Sequence, residues 1–239
     1  MNLCIDIGNS RIKIGIFEEG HLVRHDVFDT MSNQDMADIL GHYPIRRAIS
    51  SSTRIVETEF EKRVQTQISY MKLDHTTPLP ISNAYDTPET LGKDRVAGIV
   101  GSQKLFPNEN CIVIDAGTCI TYDVIVDNTY LGGNISPGLH MRAEAMDKFT
   151  SALPLVEPKF HENYIGKSTE MAMQNGIVHG TIFEIDSFIS KVKADFSDIN
   201  VIITGGNAQF FADILKSKIF VHSNLVLDGL DVILNYNAA

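Results

Sequence analysis

One short loop chemistry occurs twice in this chain. Asp6-Ile7-Gly8-Asn9-Ser10 lies near the start, and Asp115-Ala116-Gly117-Thr118 follows 109 positions later. Each copy follows an apolar run, Leu3-Cys4-Ile5 or Cys111-Ile112-Val113-Ile114, and each leads into a second β-like stretch, Arg11 to Phe17 or Thr121 to Val126. An acid at a strand end, then Gly, a small polar residue and a returning strand make a hairpin suited to gripping phosphate. Gly, lacking a Cβ, lets the backbone approach phosphate oxygens, and the N–H groups of the turn supply donors. Either loop alone also reads as a plain turn with Asp and Gly in turn positions. The matched copies favour a nucleoside triphosphate held between two related domains.

The chain has 239 residues, enough for two domains of roughly equal size. The division expected from the repeat is 1–109 and 110–239. The formal charge of −10 argues against nonspecific nucleic-acid binding, which needs a basic face. Three cysteines, Cys4, Cys111 and Cys119, form no C-x-x-C pair and are odd in number, so neither a disulfide framework nor a zinc ribbon is expected. A reducing cytoplasm fits that usage. Asp6 and Arg11 leave no room for the apolar core of a signal peptide. No apolar stretch approaches the ~20 residues of a membrane span. The histidines form no H-E-x-x-H pair, and no G-x-S-x-G nucleophile motif is present. Gly166-Lys167-Ser168 is not a P-loop, because position 161 is His161 rather than Gly and no strand precedes it.

The pattern predicts strands over 2–8, 11–17, 21–28 and 45–51, and helices over 32–40, 57–68 and 95–105. The segment 76–90, rich in Pro, Thr and Asn, reads as a long functional loop. Strands from Cys111, Ile120 and Thr129, helices over 139–149 and 169–194, a strand over 200–204, a helix over 209–215 and an amphipathic tail over 225–236 complete the order. Three strands, helix, strand, helix is the order of a ribonuclease-H-like domain. The predicted fold class is therefore α/β, with two tandem ribonuclease-H-like (actin-like) domains and ATP in the interdomain cleft.

Phosphate and carboxylate repel, so Asp6 suits Mg²⁺ held through water, with Arg11 or Lys13 neutralising the transferring group. Thr118 offers a hydroxyl to phosphate, and Asp115 at its strand end needs a partner or a cation. Between the loops, Gly92-Lys93-Asp94-Arg95 opens a helix. Asp94 there is either at or near an N-cap or a general base beside the γ-phosphate, and Arg95 can grip an anionic acceptor by a bidentate bond. Gly132 to Gly138 reads as a turn made for close backbone approach. Thr169 is expected to cap its helix. Gly205-Gly206-Asn207 resembles the adenosine-side turn of actin-like sites.

Taken together, DIGNS from Asp6, GKDR from Gly92, DAGTCIT from Asp115, GGNISPG from Gly132 and GKSTEMAMQNG from Gly166 resemble the type III pantothenate kinases of the acetate and sugar kinase/Hsp70/actin superfamily. The resemblance spans most of the chain. It implies ATP-dependent phosphorylation of pantothenate to 4′-phosphopantothenate, the first step of coenzyme A synthesis, in a cytoplasmic homodimer that uses Mg²⁺ and a monovalent cation (potassium or ammonium). Carried over by matching motif, Asp6, Ile7, Gly8, Asn9, Ser10, Arg11, Ile12 and Lys13 form the first phosphate loop, and Thr118 is an ATP contact. Asp94 is the base. Tyr85, Gly92, Lys93, Asp94, Arg95 and Thr169 contact pantothenate, Thr169 near a dimer interface, and Asp115 binds the monovalent cation. Lys93 and Cys119 stand where the family is similar in having small residues, and Ser10 replaces a common Thr. Two other classes remain open at this point: a non-catalytic regulator on the same scaffold and a polymerising actin-like ATPase.

Overall fold

The computed structural model describes residues 1–53 and 58–238. In chain order these form β1 (Asn2–Ile7), β2 (Ile12–Glu18), β3 (His21–Phe28), α1 (Asn33–His42), β4 (Arg47–Ser52), α2 (Glu59–Gln67), β5 (Ser69–Lys72), β6 (Ser82–Asn83) and α3 (Lys93–Leu105). The chain continues with β7 (Asn110–Ala116), β8 (Cys119–Val126), β9 (Thr129–Pro137), α4 (Leu139–Phe149), α5 (Thr169–Asp195), β10 (Ile199–Thr204), α6 (Ala208–Ala212), β11 (Phe220–Val221) and α7 (Leu225–Tyr236). The helix expected over 57–68 begins at Glu59, and position 57 lies outside the described residues.

Two compact units divide the chain. One comprises Met1–Glu109, Val124–Gly132 and Asn224–Ala239, the other Asn110–Asp123 and Gly133–Ser223. The expected 1–109 and 110–239 halves are contiguous; these units are not. The reason is packing: α7, at the end of the chain, lies against α3 and β1 of the first unit.

The first unit carries a five-stranded sheet in the order β3-β2-β1-β4-β5. β1 runs antiparallel to β2 and parallel to β4. Strand side chains alternate between faces, and β1 uses both. Leu3, Ile5 and Ile7 join Ile12, Ile14, Met36, Ile39, Phe60 and Val64 in one core. The intervening Asn2, Cys4 and Asp6 point the other way. Asn2 there donates to Asp231 of α7 at 2.8 Å. Asp6 is thereby delivered, by strand periodicity alone, to the face that α3 occupies.

α3 and α7 touch backbone to backbone. A Cβ at Gly229 would overlap the Ala97 carbonyl, and one at Gly101 would overlap the Leu225 carbonyl. Lys104 binds Asp228 at 2.5 Å and the Gly20 carbonyl at 2.7 Å, locking the contact. The expected amphipathic tail is instead buried nearly all round, because its polar members Asp228 and Asp231 find partners inside. In the same unit β6 pairs with the start of β9, Ser82 opposite Thr129 and Asn83 opposite Tyr130.

In the second unit, strands follow the order β11-β10-β7-β8-β9, with β10 parallel to both β7 and β11. Gly132 to Gly138 makes the close backbone approach expected of it, but most of it is strand rather than turn. Gly132 through Pro137 are strand, because Gly133 lies so close to the Tyr122 carbonyl that no Cβ fits between them.

Candidate active site

The first hairpin is set by the pairing of Ile7 with Ile12 and of Asp6 with Lys13, which leaves residues 8 to 11 to turn. The Gly8 N–H closes that turn on the Arg11 carbonyl at 3.0 Å, and a Cβ at Gly8 would sit 3.2 Å from the same oxygen. Asn9, Ser10 and Arg11 are exposed at its tip, and Arg11 pairs with exposed Asp29 at 3.5 Å. Ile12 is buried in the core.

Asp6 sits at the mouth of this hairpin. Its Oδ1 accepts from the Ser51 hydroxyl at 2.8 Å, on β4 directly across the parallel register. Burial pushes its carboxyl up to about 6; Ser51 and Lys13 oppose the rise, and the Asp94 charge adds to it. Two acids from distant parts of the sequence therefore feel each other in one place. An acid held this way, short of positive charge, fits a hydrated divalent cation.

Asp94 lies in the first turn of α3 but is not its cap. Gly92 is the N-cap, with φ −56° and ψ 130°. The Asp94 Oδ1 instead accepts from the Arg95 N–H at 2.9 Å. It lies where a Cβ on Gly92 would come within 2.6 Å, so Gly at 92 leaves room for the acid to fold back. Lys93 turns its ammonium onto the Leu91 carbonyl at 2.8 Å and the Pro88 carbonyl at 3.5 Å. Arg95 is buried, its guanidinium 5.7 Å from the centroid of the Tyr85 ring. Tyr85 stacks in turn on buried Tyr130, 6.0 Å away and 10° from parallel. Gly132, at φ +109°, passes beneath it, where a Cβ would lie 3.3 Å from the ring.

The second hairpin is tighter than the first. The Gly117 N–H bonds to the Cys119 carbonyl at 3.0 Å, so only residues 117 and 118 turn. Thr118 is exposed, and its carbonyl accepts the Gly138 N–H at 3.0 Å. Asp115, next to last in β7, lies opposite Thr204 of β10. Gly205, at φ +92°, skirts it so closely that a Cβ would collide with the Asp115 carboxylate. The Asn207 N–H then bonds the Ala116 carbonyl at 3.0 Å. Thr169 is the first residue of α5 and is exposed. It is not the cap. Ser168 takes that role, its hydroxyl accepting from the Met171 N–H at 3.2 Å.

Asp6, Lys13, Tyr85, Asp94 and Arg95 thus fall in the first unit, and Asp115, Thr118 and Thr169 in the second. Ser51 and Tyr130 were not expected from sequence. The only hint of Ser51 is the small-residue run Ser50-Ser51-Ser52 on a strand. Among the described residues, no cluster of three His, Cys, Asp or Glu side chains is placed to hold a metal by itself.

The family profile of the type III pantothenate kinases matches residues 2–191. The type III pantothenate kinase of Christiangramia forsetii is 41% identical over 242 residues, covering 99% of each chain. Among solved structures, one named for the Baf family of transcriptional activators, from Campylobacter jejuni, superposes with TM-score 0.66 at 20% identity, over 99% of this chain and 98% of its own. A ROK family glucokinase of Streptomyces griseus, bound to glucose and AMPPNP, gives TM-score 0.53 at 11% identity, over 98% and 99%. These two likenesses bear on the fold alone, which is the two-domain actin-like kinase fold.

Proposed function

The chain belongs to the type III pantothenate kinase family, and on that premise we propose how its residues divide the reaction. It is a pantothenate kinase, phosphorylating pantothenate with ATP to give 4′-phosphopantothenate at the first step of coenzyme A synthesis. The observation that carries the assignment is the family match over residues 2–191 and the 41% identity over 99% of the chain, with Asp6 and Asp94 both in the first unit.

Asp94 is the general base. It takes the proton of the primary hydroxyl as that oxygen bonds to the γ-phosphorus, while the bond from phosphorus to the ADP oxygen breaks. Asp6, braced by Ser51, would hold the Mg²⁺ ion, and the loop from Ile7 to Lys13 would wrap the phosphates. Bound magnesium neutralises charge on the phosphate oxygens. Arg95 fixes the pantothenate carboxylate, and its burial over Tyr85 supports that role, since a desolvated guanidinium grips an anion strongly. Lys93 and Gly92 line the pantothenate segment, and the Lys93 ammonium also bonds loop carbonyls that hold it there. Asp94→Asn should cut pantothenate-dependent ADP release by about 10²–10⁴-fold while ATP binding by calorimetry persists. Full turnover in that variant overturns the assignment.

Thr118 contacts ATP, and Asp115 binds a monovalent cation, potassium or ammonium. The Asp115 carboxylate and the Ala116 carbonyl, both beside Gly205, are hard oxygen donors suited to such an ion. Asp115→Asn should abolish any stimulation of activity by potassium. The protein works as a homodimer with Thr169 near the interface. Supporting this, the second unit exposes Phe149, Leu155, Tyr164, Ile165 and Phe183, apolar side chains that an interface would cover. A monomer by light scattering would refute it. A cytoplasmic setting suits three free thiols. Among the described residues, no helix is long and apolar enough to cross a membrane.

A further inference from the structure

We propose that Glu184 is a positioning residue for the nucleotide: acting through Arg142, it braces the Ser136-Pro137-Gly138 segment against the Gly117-Thr118 loop. The inference rests on reading Thr118 as an ATP contact.

Glu184 lies in the later half of α5, far along the chain from either phosphate loop. Its carboxylate gathers the Tyr122 hydroxyl at 2.6 Å and the Arg142 guanidinium at 2.5 Å. Burial alone would raise this acid. Hydrogen bonds from Ser136, Tyr122 and Arg142, with the Arg142 charge, outweigh burial and hold it below its ordinary value. The Tyr122 phenol is raised, chiefly by burial and then by Glu184, so it remains a donor. Tyr122 thus stays a donor and Glu184 an acceptor near neutral pH.

Arg142 carries the restraint onward. Its Nε donates to the Pro137 carbonyl at 2.8 Å, and its Nη2 reaches the Ser136 hydroxyl at 3.4 Å. The next residue, Gly138, donates its N–H to the Thr118 carbonyl at 3.0 Å. The approach is so close that a Cβ on Gly138 would come within 2.5 Å of that oxygen. A continuous series of contacts therefore runs from the carboxylate on α5 to the backbone of the loop. Folding alone does not ask for these charges, because well-packed apolar replacements of such pairs are often as stable or more so. What the charged fork adds is direction, and an Arg–carboxylate contact supplies it.

The test is steady-state kinetics of the full chain, with each substrate varied in turn. Glu184→Gln should raise the KM for ATP roughly three- to tenfold and leave the KM for pantothenate unchanged. Arg142→Lys, which keeps the charge but loses the Nε bond to Pro137, should give the same split. Thermal unfolding reports whether each variant is folded; if one is not, the other carries the test. Thr118→Val is the control for the underlying reading. If Thr118→Val raises the KM for ATP and neither brace variant does, the brace is refuted and the loop assignment stands. If none of the three does, both fall. If a brace variant raises both KM values equally, its role is merely structural and the inference is overturned.

Discussion

At the scale of single residues, Asp6 shows how a strand can store a functional cost. Its carboxyl is raised from the ordinary 3.8 to about 6, first by burial. The folded protein therefore binds more protons than the unfolded chain between those values. Without nucleotide or divalent ions, stability should fall as pH rises through that window, by at most about 3 kcal/mol from this residue. Asp6→Asn should flatten the dependence in urea melts followed from pH 4 to pH 7. A wild-type slope of the opposite sign, unaltered in the variant, would refute this reading of the site. Cys4 offers a second check. Burial, then Asp231 and Asp228, push its thiol well up, and Cys111 is buried as well. In the native protein, thiol titration should find Cys119 reacting first and the other two only on unfolding. Prompt reaction of a second thiol would contradict the packing of β1 or β7.

At the scale of elements, two capping boxes and one helix crossing carry the first unit. Ser32 and Asp35 cap α1 reciprocally, and Thr58 and Glu61 do the same for α2. Ser32→Ala should cost about 1 kcal/mol, read from a shift in denaturation midpoint. Glu61 also accepts from the Tyr70 hydroxyl at 3.0 Å, so that buried acid ties α2 to β5 as well. The α3–α7 crossing is less forgiving. Its helices meet at Gly101 and Gly229 without space for side chains. Gly229→Val should destabilise by about 1–3 kcal/mol or more. It should also lower turnover out of proportion to the loss of folded protein, because α3 carries Asp94 and Arg95. Turnover that merely tracks the folded fraction would show that the crossing supports the fold and not the site.

At the scale of the whole molecule, the first unit is built from both ends of the chain and a strand segment from its middle. Asn2 donates to both Asp231 and Asn235, and Arg47 also donates to Asn235 at 2.9 Å, tying β1 and β4 to α7. A chain ending at position 223 should therefore lose the first unit, which hydrogen exchange would show as collapse of protection in β1, β4 and α3. Retained protection there would mean that α7 is an accessory to that unit.

Sequence by itself determined the strand-and-helix order, the two acidic hairpins, the segment from Gly92 to Arg95 and the family. Those features are local: apolar runs, period-two alternation, Gly beside Asp, and motifs read in order along the chain. It did not reveal β5, where Ser-Tyr-Met-Lys at a sheet edge has too few buried positions to show a pattern. Nor did it reveal that Gly92 is the cap that precedes Asp94, or that Ser168 rather than Thr169 caps α5, since a cap is decided by backbone angles among several eligible neighbours. Only the tertiary structure put Ser51 beside Asp6, Tyr130 beneath Tyr85, Glu184 behind Arg142 and α7 against α3. Each of those pairs is far apart in sequence and is joined by sheet register or helix packing, which no short window of residues encodes.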